Sequence, residues 1–112
     1  MRIELDQAAL EQAFADKRFG NSACLTFYLV GDPDNHLSMR ANLEEMGASN
    51  LDGAEWGFVY AEVPIALNKD CVLRRIDQGA SFAGEGGILI DLIDIDSSPD
   101  VESSKFYTLW KG

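Results

Sequence analysis

The sequence predicts an α+β fold, and three observations carry that expectation. Cys24-Leu-Thr-Phe-Tyr-Leu-Val30 is a nearly continuous run of apolar and β-branched residues, the pattern of a central strand buried on both faces. Segments with a helical stripe alternate with such strands along the chain. Each boundary carries a cap or breaker: Asp6, Gly31-Asp-Pro33, Gly47, Asp52-Gly53, Asn68 and Gly79.

Taken in order, Met1 to Leu5 alternates as a short strand does. Asp6 caps a helix whose inner stripe is Leu10, Ala13 and Phe14, and Gly20-Asn21 ends it. After the strand over 24–30, Asp32 is a cap and Pro33 suits the first helical position; this helix buries Met39, Leu43 and Met46 and stops at Gly47. Asp52-Gly53 reads as a two-residue hairpin turn, because both positions of such a turn need positive φ. Ala54 to Val63 follows as a long strand, with Trp56, Phe58 and Tyr60 alternating onto the helix-packed face and Pro64 ending it. If the sheet's other face is open, these aromatics or Tyr28 become a binding platform.

Asn68 caps a third helix with Val72, Leu73 and Ile76 inward. Gly79 closes it, and Gly84-Glu-Gly-Gly87 forms a turn. In the strand Ile88 to Asp96 the apolar phase changes: Ile88, Ile90 and Leu92 share one parity, Ile93 and Ile95 the other. A β-bulge near Leu92 reconciles them. Phe106 to Trp110 is an edge strand. Residues 24–96 thus read β-α-β-β-α-β, the ferredoxin-like order, with a βα unit before it and a strand after it, in one domain spanning 1–112 with helices on one face of the sheet.

Charge is the strongest functional signal. Nineteen acidic side chains face nine basic ones, a formal net charge of −10 over 112 residues. From Glu85 to Ser104 the chain carries Glu85, Asp91, Asp94, Asp96, Asp100 and Glu102 and no Lys or Arg. Such a surface repels nucleic acid and anionic lipid and steers basic partners. Six Phe, three Tyr and two Trp separate it from a disordered acidic chain. No apolar run approaches membrane length, Met1-Arg-Ile-Glu4 has no signal-peptide character, and Cys24 and Cys71 form no CxxC pair, so the chain reads as cytoplasmic with reduced thiols and without zinc.

The motifs that resemble chemistry each lack a required part. Asp94 to Lys105 has the early spacing of a calcium loop, but Pro99 stands at position 6 and Lys105 at position 12, where Gly and a carboxylate are needed. Gly20-Asn-Ser-Ala-Cys24 precedes a strand and lacks the final Gly of a nucleophile elbow. Gly84 to Gly87 has no Lys-Ser/Thr pair and leads into a strand, unlike a phosphate loop. His36, the single histidine, falls in the first turn of the second helix, where the dipole disfavours imidazolium.

Phe27-Tyr-Leu-Val-Gly-Asp32, a helix ending Asn42-Leu-Glu-Glu-Met-Gly47, Trp56-Gly-Phe-Val-Tyr-Ala-Glu-Val-Pro64, and a helix followed by Gly84-Glu-Gly-Gly87 together resemble the regulator of ribonuclease E activity, class B, over residues 24–90. That resemblance implies a small acidic ferredoxin-like protein that inhibits a ribonuclease by binding it. The segment Ile88 to Asp96 departs from the family's ending, and no site residue is carried across.

The reading is a non-catalytic acidic module that binds a basic, nuclease-like or toxin-like protein and needs no cofactor or metal. Asp91, Asp94, Asp96, Asp100 and Glu102 meet the partner's cations, and Trp56 and Tyr60 anchor it. Three readings compete: acidity serving solubility alone, a small enzyme or ligand-binding domain using His36 and Cys24, and a structural subunit, with a homodimer through the edge strand as one form.

Overall fold

The computed structural model describes residues 3–19, 22–48, 50–52, 58–97 and 106–112. It contains α1 (Gln7–Ala15), a 3-10 turn (Lys17–Phe19), β1 (Ser22–Val30), α2 (Pro33–Glu45), β2 (Asn50–Asp52), β3 (Phe58–Ala66), α3 (Lys69–Glu85), β4 (Leu89–Ser97) and β5 (Phe106–Lys111). The strands form one sheet in the order β2-β3-β1-β4-β5, every neighbour antiparallel. Strands β1 to β4 with α2 and α3 are the expected βαββαβ core, and β5 extends it at one edge.

The caps form as the sequence dictates. Asp6 accepts from the Ala9 N–H, Asp32 from the Asp34 N–H with Pro33 behind it, and Asn68 from the Cys71 N–H. Gly47 takes φ +89°, which ends α2 in the left-handed conformation glycine adopts without strain.

One face of the sheet carries the core. Leu25, Phe27 and Leu29 of β1, Ala61, Val63 and Ile65 of β3, and Ile90, Ile93 and Ile95 of β4 are buried in one cluster with Met39 and Leu43 of α2, its C-cap Met46, and Val72, Ile76, Ala80 and Ala83 of α3. Full burial of each large side chain contributes roughly 1.5–3 kcal/mol. The first helix covers the β5 end of the same face: Phe19 lies 5.8 Å from the Tyr107 ring, and the Tyr107 hydroxyl donates to Asp16 at 2.8 Å.

The bulge near Leu92 is present. Tyr28 stands opposite Leu92 but Leu29 opposite Ile90, which leaves Asp91 as the extra residue. Ile90 and Ile93, three apart, therefore both point into the core, and Asp91 is exposed.

Five local expectations are corrected. Ile3 to Leu5 is not a strand; the segment meets the β5 edge through one bond, from Asp6 N–H to the Leu109 carbonyl, before the Asp6 cap starts the helix. The first helix ends at Ala15, earlier than Gly20, and passes into the 3-10 turn. Asp52 stands opposite Tyr60, so the β2–β3 connection is longer than a two-residue turn at Asp52-Gly53, which would pair Leu51 with residue 54. Pro64 lies inside β3; among the described residues β2 pairs with Tyr60 to Glu62 alone, so the N–H that Pro64 lacks breaks no described pairing on that side. Gly79 lies inside α3, which runs on to Glu85. A Cβ there would stand 2.8 Å from the Phe27 ring, so this glycine permits helix and sheet to approach closely.

Candidate functional site

Strand geometry sends alternate residues to opposite faces, so β1 sorts itself cleanly. Ala23, Leu25, Phe27 and Leu29 go to the helices. Cys24, Thr26, Tyr28 and Val30 go to the other side, where no helix packs among the described residues.

The register assembles rows across that second face. Pro64, Cys24, Asp96 and Phe106 form one row; Glu62, Thr26, Asp94 and Thr108 form the next, with Asn50 of β2 continuing it beyond Glu62. A third runs through Asp52, Tyr60, Tyr28, Leu92 and Lys111, and a fourth through Phe58, Val30 and Leu89. The face is acidic and hydroxylic through its centre. Its corners hold Leu89 (69% exposed) and Phe106 (61%) beside the partly exposed Val30, an unusual showing for large apolar side chains.

Asp94 is the anomaly. It is only 5% exposed, and its Oδ1 meets no hydrogen-bond donor among the described residues. Burial pushes its carboxyl above the ordinary value of 3.8, and a hydrogen bond from Thr108 pulls part of the way back. Asp96 is raised too, first by burial and then by Asp94 and Glu62, against a bond donated by the Thr26 hydroxyl. Tyr28 is raised by burial and by Asp94, Asp96 and Glu62, which shows that all three carboxylates act on one place. Cys24 is raised by burial, Glu62 and Asp96, so it remains a thiol and a poor nucleophile. No three His, Cys, Asp or Glu side chains converge as metal ligands among the described residues.

The residues singled out from sequence are therefore treated unequally. Asp94 and Asp96 come together on this face, Asp94 buried instead of presented as a surface charge. Asp91 sits exposed at the bulge. In the backbone register Tyr60 pairs with Tyr28 and Phe58 with the exposed Val30. Trp56, Asp100 and Glu102 lie outside the described residues. His36 belongs to α2, and Cys24 lies about 20 Å of strand from the end of β1 that leads into that helix. Sequence reasoning missed Glu62, Thr26 and Thr108. Their signal was the polar residue punctuating each apolar strand (Leu-Thr-Phe, Ala-Glu-Val, Tyr-Thr-Leu), which places one polar side chain per strand in the same row once the register is set.

No family model, curated protein or solved structure matches this chain. Among the described residues, no helix is long and apolar enough to cross a membrane.

Proposed function

We propose that the chain is a non-catalytic acidic binding module that receives a basic protein on the helix-free face of its sheet, acting as an inhibitor or regulator of that partner. The observation that carries the reading is the row Glu62–Thr26–Asp94–Thr108 with Asp96 beside it: three carboxylates on one sheet face, rimmed by exposed Leu89 and Phe106. Carboxylates steer and orient a cationic surface, and exposed apolar corners supply the contact area that charge alone does not. The net charge of −10 gives the long-range attraction. The resemblance over residues 24–90 supports the same class, a protein that acts on a ribonuclease by occupying it.

The test is a charge-matched comparison of association kinetics against a set of basic ribonucleases. Glu62→Gln/Asp94→Asn/Asp96→Asn removes three formal charges from the face, and Glu11→Gln/Glu44→Gln/Glu45→Gln removes three formal charges from the helix layer, where all three side chains are exposed. The face variant is expected to slow association at least about tenfold and to flatten its salt dependence, with the helix variant close to the parent. Equal losses in both would reduce the attraction to bulk charge and overturn the face as the site.

A further inference from the structure

Resting on the reading above, we propose that Asp94 and Asp96 form a proton-loaded receptor for a single arginine side chain, which exchanges a proton held by the pair for the guanidinium group of the partner.

The argument begins with what a buried carboxylate needs. An ionised Asp94 at 5% exposure, with Oδ1 lacking a donor among the described residues, leaves a buried charge with the Thr108 bond alone to set against the cost of burial. Two relieving states exist: a proton on the carboxyl, or a cation against it. Burial and the neighbouring carboxylates favour the proton while the face is free, against the hydroxyl bonds from Thr108 and Thr26, which favour the ionised form. Glu62 of β3 and Asp96 of β4 are like charges, and Cys24 and Tyr28 of β1 are themselves raised and neutral. Thr26 and Thr108 bring hydroxyls, and Lys111 of β5, exposed, stands a row away opposite Leu92. The raised positions of both carboxyls agree with this.

Spacing selects the cation. Asp94 and Asp96 are two residues apart on one strand, about 7 Å along it. A guanidinium donates from opposite ends of a rigid plane, reaching a carboxylate on each side at ~2.8 Å, which a point-like ammonium does not. Tyr28 of the neighbouring strand, half-buried in the next row, offers an aromatic surface beside that path. In the exchange the carboxyl O–H bond breaks, its proton passes to solvent, and the carboxylate accepts N–H bonds from the guanidinium.

The experiment has two arms. Carboxyl carbon shifts of the free protein are followed by NMR from about pH 4 to about pH 7, across and above the ordinary carboxylate range. Nona-arginine is then titrated calorimetrically, at a pH within the observed transition, into parent and Asp94→Asn/Asp96→Asn in buffers of different ionisation heat. The expected result is a coupled titration of the pair above the ordinary Asp range, and release of roughly one proton on binding that the variant lacks. Nona-lysine is expected to bind at least about tenfold more weakly. Ordinary titration of both carboxyls, or peptide binding without proton release, overturns the exchange and leaves the acidic face standing. Failure of nona-arginine to bind at all removes both the exchange and the reading it rests on.

Discussion

The two faces of β1 are built from the same nine residues, Ser22–Val30, and are governed by different physics. Toward the helices, Ala23, Leu25, Phe27 and Leu29 are at most 3% exposed and belong to the hydrophobic core cluster. Away from them, Thr26 is fully buried and Cys24 nearly so, but their neighbours are Glu62, Asp94 and Asp96. The first face stabilises the protein; the second retains a buried carboxyl with an unpartnered oxygen, an arrangement that weakens the fold. A local rule broken with only the Thr108 bond in compensation is what the proposed recognition role would account for.

That contrast can be broken most forcefully from the core side. Phe27→Ala removes a fully buried ring and is expected to cost about 3–5 kcal/mol in a urea unfolding series, against a much smaller loss for Tyr28→Ala one residue along. Comparable losses at both positions would mean that the two faces share one core.

Gly79 sharpens the comparison at the point where helix meets sheet. Gly79→Ala gains helix propensity but drives a methyl to within 2.8 Å of the Phe27 ring, and a net destabilisation of about 1–3 kcal/mol is expected. Adding Phe27→Leu is expected to recover part of it, read as a non-additive double-mutant cycle. A stabilised Gly79→Ala would show that helix and sheet adjust their spacing freely.

The smallest effect has the opposite sign and comes from the other face. Asp94 has a raised folded-state value, so the folded protein holds this proton more tightly than the unfolded chain does. Its contribution is therefore fully present below the ordinary value of 3.8 and is lost as pH rises through the raised one. Asp94→Asn is expected to stabilise the protein at neutral pH by about 1 kcal/mol and to flatten the decline of its thermal midpoint between acid and neutral pH. A destabilised Asn variant with an unchanged pH profile would make Asp94 an ordinary structural carboxylate. A gain in stability accompanied by lost partner binding would be the signature of a residue kept for recognition.

Much of this architecture is legible in the residues themselves. Asp6, Asp32-Pro33 and Asn68 cap helices because a short polar side chain before a helical stripe can satisfy N–H groups that the helix leaves unpaired. The phase change between Ile90 and Ile93 announces a bulge, since no regular strand sends residues three apart to one face. These are local signals. Gly79 reads as a helix stop because its reason for being glycine, the Phe27 ring, lies 52 positions earlier in the chain.

The proposed binding face is legible only in part. Asp91, Asp94 and Asp96 look alike in an acidic run, and local sequence determines that the run is acidic, that a strand carries it and that a bulge interrupts it. Which carboxylate is exposed, which is buried and which stands beside Thr26 depends on the pairing of β4 with β1 and β5, a matter of long-range register. A strand as uniformly apolar as Cys24–Val30 does not announce which of its faces the helices will cover. The sequence by itself determined the elements, their ends and the sign of the charge. The tertiary structure decided which polar residues share a row, because side chains far apart in the chain become neighbours only when the strands carrying them pair.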